Sequence, residues 1–266
     1  MAEFQKRDSV FIKEVWAYNV EEEIEAIRSV VKEYPYVAMD TEFPGTVVKP
    51  TLKFRSKKDY QYSNMMVNVN LLSLIQLGLT FFDKDGNLPD CGTGQPCAWQ
   101  FNFREFDPAV EIHDPESISL LTQSGIDFKK NNAIGIDAKG FARMLTLSGI
   151  FFNENVHWIA FHGVYDFGYM LKLLTCSPLP PSGDQFFELM KFYFPSIYDV
   201  KYLIKYCDGL YGGLNRLAEL LNVQRVGIAH QAGSDSLLTC SVFMKLKQGF
   251  PETYMDRFAN VVYGLG

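Results

Sequence analysis

Tyr36-Val-Ala-Met-Asp-Thr-Glu-Phe43 follows directly on Pro35 and reads as a strand, with an apolar first half and two acids near its end. Upstream, Asn19 followed by Glu22 has the form of a capping box. Ile24, Ile27, Val30 or Val31, and Tyr34 keep helical spacing until Pro35 stops them. Downstream, Leu71–Phe82 and Ala98–Phe103 read as two further strands joined by a turn-rich segment, which suggests three antiparallel strands early in the chain. Asp114-Pro115 and Asp137 open helices, the second running through Phe141, Met144, Leu145 and Leu147 to Gly149. Val156–Phe161 reads as a short buried strand, followed by a helix from about Tyr165 to Leu174. Pro178, Pro180 and Pro181 then mark a loop; a strand at Ile197–Val200 and helices at Leu214–Leu221 and Ala232–Lys247 complete the pattern. Strands alternating with helices predict an α/β class with a mixed sheet.

The chain has 266 residues, 47% hydrophobic and 21% charged, without repeats, low-complexity tracts or a dividing linker. A single domain spanning 1–266 is the simplest reading. Apolar runs such as Val156–Phe161 fall far short of the ~20 residues of a membrane helix, and no apolar run follows the charged Met1–Arg7 segment. With 25 Lys and Arg against 31 Asp and Glu, the net charge is −6, which argues against broad, non-specific coating of nucleic acid. A local nucleic-acid site remains open if bound cations reverse the field there. The five cysteines (Cys91, Cys97, Cys176, Cys207 and Cys240) lack paired ligand spacing and read as reduced intracellular thiols. No Asn-x-Ser/Thr sequon and no P-loop pattern occurs.

Three short stretches concentrate the chemistry. In Asp40-Thr-Glu42 the period of two sends both carboxylates to one face, with Cα atoms about 6–7 Å apart, and Met39 and Thr41 to the other. Like charges at about 4 Å repel by about 4 kcal/mol at an effective dielectric of 20, so a cation, a raised pKa or solvent must relieve them. Taken alone, Asp-x-Glu is more often a pair of solvated acids. His162-Gly-Val-Tyr-Asp166 leads from a strand into a helix, where an acid is more often a dipole partner than a ligand. His230-Gln-Ala-Gly-Ser-Asp235 leads into the final helix, and its small residues leave room for a substrate backbone. Each stretch has a bland reading, but the three together are harder to dismiss.

Asp40-x-Glu42, Tyr165-Asp166 and His230-x-Ala232-x-x-Asp235 resemble, in order and setting, the three motifs of the DEDDh 3′→5′ exonucleases. The flanking words are more specific. Met39-Asp-Thr-Glu-Phe-Pro-Gly45, Tyr165-Asp-Phe-Gly-Tyr169, Phe194-Pro-Ser-Ile-Tyr-Asp-Val-Lys201 and His230-Gln-Ala-Gly-Ser-Asp-Ser-Leu-Leu238 resemble the Caf/Pop-type deadenylases, catalytic subunits of the Ccr–Not complex. The resemblance runs from about Val10 to about Lys247. It departs from the wider superfamily at His162, where many relatives carry Asn.

This resemblance implies an RNase-H-like mixed sheet, antiparallel strands first and then parallel, flanked by helices. It also implies removal of poly(A) tails from messenger RNA, with release of AMP. Asp40, Glu42, Asp166 and Asp235 would correspond to the four acids, and His230 to the histidine. Two divalent ions, Mg²⁺ or alternatively Mn²⁺, would compensate the acids. Asp40 would bridge them, Glu42 and Asp235 would complete the water-activating site, and Asp166 would support the second ion. An imidazole with an ordinary pKa of about 6.5 suits a base at neutral pH, so His230 would take the proton from water. Phe43, His162 and Leu214 are candidates to contact the terminal nucleotide; core packing is the bland alternative for Phe43, and an amphipathic-helix position for Leu214. Phe186, Phe187, Phe192, Tyr193 and Phe194 read as core or interface instead. Implied partners are the single-stranded poly(A) 3′ end, a Not-type scaffold and a Ccr-type deadenylase, in the cytoplasm and nucleus, with no membrane. Three rivals carry weight: a non-catalytic scaffold, a metal-dependent phosphatase and a DNA proofreading exonuclease.

Overall fold

Val37, Ala38 and Met39 are fully buried, and the strand they occupy, β2 (Tyr36–Glu42), lies inside the sheet with a partner on either side. The computed structural model describes residues 10–92, 94–251 and 255–265; the charged Met1–Arg7 segment lies outside them. The six strands are β1 (Phe11–Val15), β2, β3 (Gln76–Phe82), β4 (Cys97–Asn102), β5 (His157–Ala160) and β6 (Ser196–Asp199). Their spatial order is β1-β4-β3-β2-β5-β6. β2, β3 and β4 are antiparallel neighbours, while β5 and β6 continue parallel to β2. The α/β mixed sheet expected from the sequence, antiparallel strands first and then parallel, is therefore present. Edge strand β1, which pairs parallel with β4, was not foreseen. It has only five residues, two of them charged, and Phe11 is about half exposed.

Ten helices flank the sheet among the described residues: α1 (Val20–Val30), α2 (Lys57–Leu71), α3 (Pro115–Gln123), α4 (Phe128–Ile134), α5 (Ala138–Thr146), α6 (Val164–Thr175), α7 (Gly183–Tyr193), α8 (Val200–Leu203), α9 (Leu214–Leu220) and α10 (Ala232–Lys247). Asp114 and Asp137 cap α3 and α5 by accepting from Ser117 N and Gly140 N, as their positions suggest. The capping box at Asn19 does not form. Its Oδ1 accepts from Trp16 N and its Nδ2 donates to Glu14 O, so the side chain closes the turn before the helix instead. Leu71 also departs from expectation: it ends α2, and the strand begins only at Gln76. α2 is capped by Ser56, which accepts from Asp59 N, but it carries Asn and Val in place of a clean apolar stripe. In the aromatic run after the prolines, Phe186 and Phe194 are fully buried, whereas Phe192 is exposed.

Two cores result. On one face of the sheet, Met39, Phe101, Trp158, Phe167 and Phe194 pack with α1, α2, α5, α6 and α7. On the other, Ala38, Phe82 and Ile159 pack with Leu238, Phe243 and Leu217 from α10 and α9. α10 is buried nearly all round, which removes any amphipathic period from its sequence. Its approach to the sheet depends on two glycines. A Cβ on Gly78 would lie 1.8 Å from Ala232 O, and one on Gly233 would lie 2.7 Å from the Ile12 side chain. The small residues before Asp235 thus serve helix-on-sheet contact, a correction to the expectation that they make room for substrate. None of the five cysteines forms a disulfide. Among the described residues, no helix is long and apolar enough to cross a membrane.

Candidate active site

Four acids converge where strands end and helices begin. Asp40 and Glu42 close β2, opposite Gly78 and Gln76 of β3. Asp166 lies in the first turn of α6, just beyond β5, and Asp235 in the first turn of α10. The carboxyl ends of parallel strands are where open α/β sheets form their ligand crevices. Thr41 faces away from Asp40 and Glu42, as period two requires, and its Oγ1 donates to Asp166 Oδ1 at 2.6 Å. That bond ties the second motif to the first across 125 residues.

The cluster holds more negative charge than its surroundings solvate. Burial, then the charges of Asp166, Asp235 and Glu42, hold Asp40 well above the usual carboxylate range, with Arg225 opposing. Burial and the charges of Asp235 and Asp166 push Glu42 up to about 8, again against Arg225. Burial raises Asp166 to about 7 despite the Thr41 bond. One ligand atom each from Glu42, His230 and Asp235 lies within 4.8 Å of the others, a spacing that one cation can share. Convergent oxygens with one imidazole suit hard or borderline divalent ions such as Mg²⁺ and Mn²⁺.

His230 is held in the left-handed region at φ +62°, uncommon for a residue with a side chain. Its N–H donates to Asp235 Oδ2 at 3.0 Å, and its carbonyl accepts from Ser124 Oγ at 3.0 Å. The next residue, Gln231, accepts from Gln76 Nε2 and Gln100 Nε2 and donates to Ser124 O. The same two glutamines receive the N–H groups of Ala232 and Gly233 at the open start of α10. Sequence reading missed these supports, along with Arg225 and Asp199. The traces they leave are amides set among apolar strand residues, in Ile75-Gln-Leu77 and in Trp99-Gln-Phe-Asn102. Asp199, fully buried, accepts from the N–H groups of His162, Gly163, Lys201 and Tyr263, and so fixes the loop before Asp166.

The three candidates for nucleotide contact stand as follows. Phe43 is partly buried; its ring stacks on Tyr165 at 5.0 Å and packs obliquely on Tyr169 at 4.9 Å. His162, at φ +61°, meets the edge of Tyr263, and burial lowers its pKa. Leu214 opens α9 and packs partly on the second core.

The fold is shared with E. coli exonuclease I: its structure in complex with a dA16 oligonucleotide superposes with TM-score 0.55 at 14% identity, over 84% of this chain and 42% of that one. The CAF1 family ribonuclease model matches residues 15–139 and 143–243, and the chain belongs to that family. It is 57% identical to the probable CCR4-associated factor 1 homolog 7 of Arabidopsis thaliana, covering 100% of this chain and 97% of the relative. Poly(A) ribonuclease pop2 of Schizosaccharomyces pombe is 43% identical over 96% of this chain and 75% of its own length. The structure of S. pombe Pop2p in its Mg²⁺- and Mn²⁺-bound form matches with TM-score 0.89 at 43% identity, covering 96% and 99% of the two chains. Yeast CAF1, co-crystallised with the NOT1 MIF4G domain, matches with TM-score 0.79 at 34% identity, over 95% and 96%.

Proposed function

We propose that this ribonuclease is a deadenylase that shortens messenger-RNA poly(A) tails from the 3′ end, releasing AMP. The observation that carries the reading is the convergence of Asp40, Glu42, Asp166, Asp235 and His230, in a chain 43% identical to a poly(A) ribonuclease. Two divalent ions, Mg²⁺ or Mn²⁺, held by the four carboxylates would supply positive charge to the scissile phosphate, acidify the attacking water and stabilise the leaving oxygen. Asp40, Glu42 and Asp235 would hold the charge that activates the water, and Asp40 and Asp166 the charge that stabilises the leaving oxygen.

His230 acts as general base, taking a proton as water oxygen bonds to the terminal phosphorus and the bond to the upstream 3′ oxygen breaks. Its backbone ties to Asp235 and Ser124 aim the loop that carries the imidazole. Phe43, His162 and Leu214 line the path of the terminal nucleotide, Phe43 through whatever ring surface its Tyr165 stack leaves open. By likeness to the yeast CAF1 and NOT1 pair, the chain docks on a Not-type scaffold; the motif resemblance adds a Ccr-type deadenylase beside it and places the work in the cytoplasm and nucleus. RNA labelled at its 3′-terminal adenylate tests the reaction. The expected first labelled product is AMP; labelled oligonucleotides appearing before AMP would reveal internal cleavage and overturn the reading.

A further inference from the structure

The site holds one strong positive charge that no motif announces. Arg225 lies between α9 and α10, its side chain 18% exposed and that of Asp235 11% exposed. Its Nη1 pairs with Asp235 Oδ1 at 2.5 Å and donates to Ser234 Oγ at 2.9 Å. Its Nη2 donates to Asn215 Oδ1 at 2.5 Å, beside the start of α9. Ser234 Oγ in turn donates to Val226 O, which braces the arm. The planar guanidinium fork of Arg225 fixes what it grips.

We infer that Arg225 is the resident counter-cation of the carboxylate cluster, a positioning residue that acts through Asp235 and shares that carboxylate with the divalent cation. The inference rests on the cation reading proposed above. Asp235 Oδ1 forms an ion pair with Arg225 Nη1 but has no hydrogen-bond partner, so its acceptor directions stay open, while Oδ2 accepts from His230 N. Arg225 therefore sets the plane of the carboxylate without closing it to a cation. Two opposing consequences follow. The guanidinium repels an incoming divalent ion and loosens its binding, yet it lets four acids assemble before that ion arrives and keeps Asp235 aimed.

The neutral variant Arg225→Met and the charge-keeping Arg225→Lys separate these effects from simple packing. Thermal unfolding would be followed in EDTA and in saturating Mn²⁺ at pH 7.5, with Mn²⁺ affinity from titration calorimetry and kcat on adenosine-tailed RNA. For Arg225→Met we expect a lower Tm in EDTA and a larger Mn²⁺-induced rise than wild type shows. We also expect Mn²⁺ binding about tenfold tighter, together with a kcat about 10- to 100-fold lower at saturating Mn²⁺. A Met variant that folds only with Mn²⁺ present would be the same result at its limit. Arg225→Lys should keep Mn²⁺ affinity within about twofold of wild type, because the charge remains. Equal Tm losses with and without Mn²⁺, or unchanged or weaker Mn²⁺ binding in Arg225→Met, would assign Arg225 a structural role and overturn the inference. Tightening in Arg225→Lys to match Met would overturn it too. If wild type gains neither stability nor measurable binding with Mn²⁺, the cation reading itself fails, and this inference with it.

Discussion

Thr41 shows how much of the site depends on residues that carry no chemistry of their own. Its hydroxyl holds Asp166 at 2.6 Å from the face of β2 opposite Asp40 and Glu42. Thr41→Val keeps the shape but strands a buried acid, which should cost about 1–3 kcal/mol in urea unfolding and about tenfold in exonuclease rate. Asp40→Asn should behave in the opposite sense on stability. It removes one of four mutually repelling carboxylates, so the EDTA-treated variant should melt higher than wild type while losing at least about 100-fold in rate; a lower melting point would contradict the electrostatic account. That the four acids and His230 come together was legible in the sequence because each sits in a short word of distinctive residue types. Thr41, Ser124, Gln76, Gln100, Asp199 and Arg225 were not, because most of them act through bonds between distant stretches of chain, such as Gln76 to Gln231 across 155 residues. Local spacing does not record such pairs.

Among the elements, the contact of α10 with β3 decides where Asp235 sits. Gly78 pairs in register with Asp40 and takes the close approach of Ala232, so one glycine sets the separation of the first and third motifs. Gly78→Ala should destabilise by about 3 kcal/mol or more and cut activity further than the stability loss explains. A variant of wild-type stability would show that α10 can shift freely. α3 and α5 were read from their Asp caps, whereas α1, α6, α9 and α10 were read from apolar spacing or motif context without a side-chain cap bond. α2, α4, α7 and α8 escaped: α2 for want of an apolar stripe, α7 because its aromatic run follows three prolines and has no side-chain cap bond, and α4 and α8 because they have only seven and four residues. β1 escaped as a short, partly charged edge that gains its place only through β4.

Over the whole molecule, crowded carboxylates make stability depend on pH and on divalent cations together. Glu42 near 8 and Asp166 near 7 bind protons in the folded state that the unfolded chain, with ordinary carboxylate values, has already released. The cation-free fold is therefore favoured at mildly acidic pH and loses that advantage as pH rises toward 8. Melting in EDTA should fall between pH 5.5 and 8, and saturating Mg²⁺ or Mn²⁺ should restore most of the loss at pH 8. A flat profile, or an equal cation effect at both pH values, would contradict the assignment of a cation-compensated cluster. The net charge of −6 is consistent with the same design, in which phosphates are met at one local site and not by a basic surface. The most direct measurement follows a 5′-labelled RNA with an adenosine tail, incubated with Mg²⁺ and wild-type protein, Asp40→Asn, or wild type in EDTA, with a deoxyadenosine-tailed strand alongside. The account predicts a ladder shortening from the 3′ end with wild type alone, weak on the DNA strand; folded wild-type protein that produces no ladder with Mg²⁺ or Mn²⁺, or a ladder that persists in Asp40→Asn, would contradict it.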